Sequence, residues 1–314
     1  MKLLFLICYR KCINNMNFNL PEFNNFQQAY HDIVKAIHDN GQKINGSHEF
    51  IHSGFTVKDT ANMVDTIRKA SLRYSIAEMI WYWSGSNSLD WISHFSSFWK
   101  HLSDDDKTCN SAYGYILQKK FGFNQISKVV KELKKNKASR RATIKINTPR
   151  TKEFGDIKDL SDTKDEFCTL SLQFLIRNNK LNMIVNMRSN DIWKGLPYDA
   201  TYFVSIMDEI LEQLKPTYPE LEKGTYTHFV GSIHIYDNDM DKVEKCLNND
   251  LAPRKVNIDS DFIRHNAKKI YDEIEKSFYK DDDSEMNFKE YKDSKRFEKI
   301  ANKYQLLKGD KFGE

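Results

Sequence analysis

The chain is predicted to adopt an α+β fold with one main mixed or antiparallel sheet and several long helices. Three observations predict it. Apolar residues recur at helical spacing in the first third, β-branched stretches with partial alternation fill the middle, and a charged, helically patterned stretch follows residue 240. Taken in order, residues 24–40 place Tyr30, Ile33, Val34 and Ile37 on one helical face, and Gly41 is a stop signal. Residues 42–58 read as loop and short strand. Residues 60–84 read as a long apolar-faced helix carrying Ile67, Leu72, Ile76, Met79, Ile80 and Tyr82, broken by the polar run Ser84 to Ser88. Residues 124–135 form an amphipathic helix ending in a lysine-rich turn. Strands are expected at 142–147, 168–176 and 181–187, with Asn178 and Asn179 as the turn between the last two. Residues 198–214 return to helix and 225–236 to strand. Beyond 240 the pattern is charged and mostly helical, and Asp281, Asp282 and Asp283 mark a solvated break.

Composition bounds the function classes. Hydrophobic residues are 40% and charged residues 29% of 314, enough apolar material for a sizeable core and too much for wholesale disorder. With 12 Gly and 6 Pro, collagen-like and Pro-rich architectures are excluded. The net charge of +4 points to neither a nucleic-acid nor a membrane partner. No apolar run approaches a membrane span. The apolar stretch Leu3 to Cys8 is short and is closed by Arg10 and Lys11, while Met16 opens a more ordinary segment. Residues 1–15 are therefore expected to be an N-terminal extension. Cys8, Cys12, Cys109, Cys168 and Cys246 are odd in number and widely spaced. They form neither a disulfide framework nor a zinc motif, so a reducing cytoplasm and no metal are expected.

Several residues could carry chemistry. Cys168 at a strand start reads, by itself, as a small buried hydrophobe. Glu78 interrupts the apolar helical stretch IAEMIWYW, where a carboxylate is costly unless paired or functional. Arg140 and Arg141 would ordinarily be a solvated basic patch. Arg188 with Ser189 beside it is a sensible phosphate grip, because the guanidinium fork matches phosphate oxygens.

Order and spacing add what each residue lacks alone. Cys168-Thr-Leu-Ser-Leu-Gln173-Phe is followed by Met187-Arg-Ser-Asn-Asp191 and then Gly195-Leu-Pro-Tyr-Asp199. Upstream lie Leu72-Arg73, Glu78-Met-Ile-Trp81, Phe98-Trp99, Asn110-Ser-Ala-Tyr113-Gly114 and Ser139-Arg-Arg141, and downstream Gly231-Ser-Ile-His234-Ile-Tyr236. Together these resemble the thymidylate synthase superfamily over roughly residues 25–245. Asn-Met-Arg-Ser-Asn-Asp and Asn-Ser-Ala-Tyr-Gly are most similar to its deoxycytidylate hydroxymethylase branch. The chain departs from the synthases in four places. Thr169 follows the cysteine where histidine is usual, and Asp199 stands where asparagine is usual. The segment Gly41 to Gly46 lacks the arginine of the phosphate loop, leaving Lys43 as its candidate substitute, and the C-terminal tail is unlike their short closing tail.

The resemblance implies a thymidylate synthase-like fold, a sheet face used for homodimerisation, and 5,10-methylenetetrahydrofolate as co-substrate. It makes residues 16–245 the catalytic domain and 246–314 a charged helical extension. Cys168 would add to C6 of a pyrimidine nucleotide and so activate C5. Glu78 would be the general acid and base. Arg188 and Ser189 would hold the phosphate, with Arg140 and Arg141 reaching the other subunit's site. His234 and Tyr236 would bind the sugar, Gln173 would lie near the dimer and site layer, and Trp99, Asp191 and Tyr113 would face the folate. Asp199 favours cytosine. A carboxyl group accepts from the N4 amino group and, when protonated, donates to N3, whereas uracil suits an amide. The expected reaction is hydroxymethyl transfer to dCMP. Three alternatives stay open: the same reaction on CMP, a thymidylate synthase acting on dUMP, and an inactive nucleotide-binding member.

Overall fold

The computed structural model describes residues 20–64, 67–68, 70–147, 163–248, 256–278 and 286–308, the side chains of 286–293 excepted. The expected 1–15 extension and the Asp281–Asp283 break lie outside these residues.

A mixed seven-stranded sheet organises the fold. It contains β1 (Glu22–Asn25), β2 (Gln42–Ile44), β3 (Ser47–Asp59), β4 (Thr143–Lys145), β5 (Thr169–Arg177), β6 (Lys180–Asp191) and β7 (Glu222–Tyr236). The order is β1-β3-β7-β6-β5-β4, with β2 also paired to β3. β1 runs parallel to β3, and β6 parallel to β7, while the other pairs are antiparallel. The β5–β6 hairpin turns at Asn178 and Asn179, both with left-handed φ (49° and 58°), a conformation asparagine tolerates.

The helices cover one sheet face. They are α1 (Phe26–Asn40), α2 (Leu72–Trp83), α3 (Leu89–Ser93), α4 (Phe98–Leu102), α5 (Tyr113–Gln118), α6 (Gln125–Lys135) and α7 (Leu196–Leu214). Leu172, Phe174, Met183, Val185, Tyr226 and Phe55 are buried beneath them and form the core. On the opposite face, register places Gln173 beside Ile184, and Ile184 beside Thr227. Phe229 on that face is 40% exposed.

Two segments differ from expectation. The helix expected over 60–84 begins only at Leu72, because the Ser71 hydroxyl caps it by accepting from the Tyr74 amide at 3.2 Å. Residues 59–64 instead turn on their own side chains: Asp59 accepts from the Ala61 amide and Asn62 from the Val64 amide. The loop and short strand expected over 42–58 is a hairpin turning at Asn45 and Gly46, followed by the long strand β3. Pairing with β7 from Ser47↔Tyr236 to Val57↔Tyr226 satisfies its backbone despite the polar sequence.

Past residue 240 come α8 (Met240–Leu247), α9 (Ser260–Phe278), α10 (Met286–Lys303) and a small two-stranded sheet of β8 (Asn257–Ile258) and β9 (Leu307–Lys308). α9 packs against α2 and α7. Tyr271 stacks on Trp91 at 4.8 Å and its hydroxyl meets Ser86 at 3.1 Å. Buried Arg264 pairs with Glu209, Glu212 and Asp261. Among the described residues no helix is long and apolar enough to cross a membrane.

Candidate active site

Adjacent strand ends build the site. Cys168 immediately precedes β5, and its carbonyl accepts from the Arg188 amide of β6 at 2.8 Å. The Arg188 guanidinium folds back over the cysteine. Its Nε donates to the Phe167 carbonyl and its Nη2 to the Glu166 carbonyl, each at 2.9 Å, and Nη2 lies 3.7 Å from Sγ of Cys168. Gly231 of β7 lets the two strand backbones approach here, since a Cβ there would meet the Arg188 carbonyl oxygen at 2.7 Å. Burial pushes the Cys168 thiol up; Arg188 opposes it, while Asp199 and Asp165 add to it. Arg188 is thus the cation on which any thiolate depends.

Asp199 enters from the first turn of α7, just past Pro197. Its Oδ2 accepts from Nδ2 of Asn190 at 3.0 Å. Burial pushes its carboxyl up to about 7, against the hydrogen bond from Asn190, and the charge of Asp191 adds to the rise. Glu78 is 7% exposed in the middle of α2. Burial pushes its carboxyl up to about 8, and Asp199 adds to the rise. Tyr74, one turn before Glu78, donates to its Oε1 at 2.6 Å, and Tyr82, one turn after, at 3.5 Å. Trp99 Nε1 donates to the Tyr74 hydroxyl at 3.0 Å. Its link is therefore to the catalytic-candidate carboxylate through Tyr74.

Tyr113 opens α5. The next residue, Gly114, lies so close to α2 that a Cβ would sit 1.6 Å from the Tyr82 carbonyl oxygen, so only glycine lets α5 dock there. Docking brings the Tyr113 hydroxyl to 2.8 Å from the hydroxyl of fully buried Thr169. Burial raises the Tyr113 phenol, with Asp199 and Cys168 as further causes. Cys168, Arg188, Asp199, Glu78, Tyr113 and Trp99 therefore belong to one connected site.

A second group lies along the β6–β7 pair. Asp191 is the register partner of His234. Asp191 Oδ1 accepts from the amides of Trp193 and Lys194, both at 2.9 Å, and burial raises its carboxyl against the pull of Lys194 and His234. Tyr236, 45% exposed, sets its ring edge-on to His234 at 4.9 Å, and Lys194 Nζ lies 5.4 Å from its ring centre. Lys43 lies 3.4 Å from Asp237, the next residue. Ser189 is partly exposed in β6.

Arg140 and Arg141 are exposed and make no contact with the Cys168 group among the described residues. Their backbone is fixed instead. Ser139 accepts from the Arg141 amide at 3.0 Å, and Gln173 Nε2 donates to the Arg140 carbonyl at 2.9 Å. Gln173 thus acts on the loop at the sheet edge. The sequence reading missed Tyr74 and Tyr82 as partners of Glu78, although their i−4 and i+4 spacing was a usable signal. It also passed over Asn190 within the motif that it quoted.

Comparison with known proteins fits this geometry. The family model described as thymidylate synthase matches residues 28–295. The deoxycytidylate 5-hydroxymethyltransferase of Enterobacteria phage T6 is 31% identical over 166 residues, 52% of this chain, and the chain spans 66% of that relative's length. The corresponding phage T4 protein gives the same identity and coverage. The thymidylate synthase of Fusobacterium nucleatum is 29% identical over 282 residues, covering 83% of this chain and 93% of its own. The solved thermostable thymidylate synthase A from Bacillus subtilis shares the fold, with a TM-score of 0.60, 22% identity, and coverage of 76% of this chain and 89% of that one. With the family model matched across most of the sequence and the fold shared, the chain belongs to the thymidylate synthase family.

Proposed function

We propose that the protein transfers a hydroxymethyl group to C5 of dCMP, using methylenetetrahydrofolate and water. The observation that carries this reading is Asp199. It occupies the base-reading position implied by the family motif, is held by Asn190, and has its carboxyl pushed up to about 7 by burial, which brings the protonated form within reach. A carboxyl group in that state can accept from the N4 amino group and donate to the N3 acceptor of cytosine. The phage hydroxymethyltransferases support the same base.

The folate supplies the one-carbon unit at the oxidation level of formaldehyde. Of the residues assigned to it, Asp191 engages Oδ1 with two backbone amides, and Trp99, 6% exposed, donates its indole N–H to Tyr74. This chain's residues do the rest. Cys168 adds to C6 of the base, which makes C5 nucleophilic; C5 bonds the transferred carbon and loses its proton. Once the folate has departed, water adds to the exocyclic carbon and the C6–S bond breaks, giving the hydroxymethyl product. Glu78, with a carboxyl near 8, is poised to give and take protons at neutral pH. Tyr74 and Tyr82 orient it.

Arg188 and Ser189 hold the phosphate, and His234 and Tyr236 the sugar. We assign Arg140 and Arg141 to the site of a second subunit, because they are solvent-facing and bond none of the Cys168 group among the described residues. The homodimer would form through the outer sheet face of Gln173, Ile184, Thr227 and exposed Phe229. Residues 16–245 make the catalytic unit and 246–314 an extension whose α9 packs against α2, in a cytoplasmic enzyme.

The test supplies methylenetetrahydrofolate with dCMP, CMP or dUMP in parallel. Nucleotide mass and dihydrofolate absorbance are recorded. Gain of CH2O on dCMP without dihydrofolate is expected. Gain of CH2 on dUMP with dihydrofolate would overturn the proposal, and preference for CMP would correct its sugar.

A further inference from the structure

Asn190 is 3% exposed and makes one side-chain hydrogen bond, the donation from Nδ2 to Asp199. Its Oδ1 is buried and has no partner among the described residues. The orientation follows from charge. An amide flipped the other way would set its carbonyl against a carboxylate oxygen, so Asp199 holds the NH2 end and the carbonyl end is left over. A buried carbonyl oxygen without a donor is costly, and such groups in native proteins are ordinarily satisfied by a ligand, water or ion. The walls of the pair are tight. A Cβ at Gly195 would meet the Asp191 carbonyl oxygen at 3.1 Å and lie 3.4 Å from both Nδ2 of Asn190 and Oδ2 of Asp199, so this glycine lies directly against the pair. Asp199 is near enough to Cys168 and Glu78 to shift both electrostatically.

We infer that Asn190 is a second base-reading residue, whose Oδ1 accepts from an exocyclic amino group on the pyrimidine while its Nδ2 fixes the Asp199 carboxyl. The inference rests on the cytosine reading above and deepens it. One ring position would then be read by two side chains with divided tasks. Asp199 answers the ring nitrogen, and Asn190 answers the amino group. A uracil O4 in that place would meet the Asn190 oxygen acceptor to acceptor, so Asn190 rejects uracil at that point.

The test is equilibrium binding of dCMP and of dUMP, without folate, to the wild-type chain, Asn190→Ala and Asn190→Ser. Binding is read calorimetrically and folding by circular dichroism. Asn190→Ala is expected to weaken dCMP about tenfold, the scale of one buried hydrogen bond, and to leave dUMP unchanged or tighter. Asn190→Ser, which keeps a small hydroxyl and is the milder change to the fold, is expected to fall between. A loss equal for both nucleotides would mean a structural or water-binding role and would overturn the inference, as would an unchanged dCMP to dUMP ratio in either folded variant. The two failures are separable. If the wild-type chain itself prefers dUMP, the cytosine reading fails; if it prefers dCMP and the variants keep that ratio, only the role of Asn190 fails.

Discussion

Two carboxylic acids, Glu78 and Asp199, and three arginines, Arg140, Arg141 and Arg188, sit in opposite solvent regimes. Glu78 is buried in the middle of α2 and Asp199 stands in the first turn of α7, and both carboxyls are pushed up, to about 8 and about 7. The arginines are exposed, and two of them hold their place by backbone bonds. Burial tunes proton affinity, which base reading and proton transfer need. Exposure keeps cations fully charged and reachable, which a phosphate needs. One ligand with an uncharged base and an anionic tail matches both halves.

Glu78→Gln attacks the buried half at its most demanding point. It removes the titrating group while keeping shape, and is expected to lower kcat about 1000-fold with a small change in nucleotide KM. A KM effect alone would assign Glu78 to binding. Asp199→Asn changes what the buried half reads. The ratio of kcat/KM for dCMP over dUMP is expected to fall about 100-fold, measured in competition with both nucleotides present. An unaltered ratio would remove Asp199 from base recognition.

The exposed half responds differently. Arg140→Ala with Arg141→Ala is expected to raise nucleotide KM about tenfold and to flatten its salt dependence. Mixing that double variant with the inactive Cys168→Ser, at nucleotide well below the raised KM, is expected to increase activity if the arginines serve a second subunit's site. Absence of any recovery in a mixture shown to exchange subunits would place them elsewhere.

The smallest effect is on stability. Glu78 and Asp199 hold protons in the folded chain that the unfolded chain has lost between about pH 4 and pH 8, so their contribution to stability falls as pH rises through that window. Glu78→Gln should remove part of this slope. Its stability relative to wild type, from urea unfolding, is expected to improve by about 1–2 kcal/mol from pH 5 to pH 8. A pH-independent difference would mean that Glu78 is already ionised.

Motif order, through the family resemblance, named Cys168, Glu78, Arg188, Asp191 and Asp199, and of these only Glu78 stood out by its own cost, as a carboxylate in an apolar helical stretch. The β5–β6 hairpin and α7 were equally legible, from alternation and helical spacing. Strand β3 was not, since its polar stretch His48 to Ser53 is held by pairing with β7 and not by its own pattern. Nor was the start of α2, which depends on a single hydroxyl cap at Ser71. Within the site, the partnership of Asn190 with Asp199 joins a strand end to a helix start. No local pattern announces a bond that exists only after β6 and α7 have packed.

The most direct test of the central claim is covalent trapping. The intact chain is incubated with methylenetetrahydrofolate and a 5-fluoro nucleotide, whose C5 substituent cannot leave as a proton does, and the protein mass is measured. An adduct on the Cys168 peptide with 5-fluoro-dCMP, absent in Cys168→Ser and weak with 5-fluoro-dUMP, is the predicted result. An adduct formed only with the uracil analogue, or none at Cys168 with either, would contradict it.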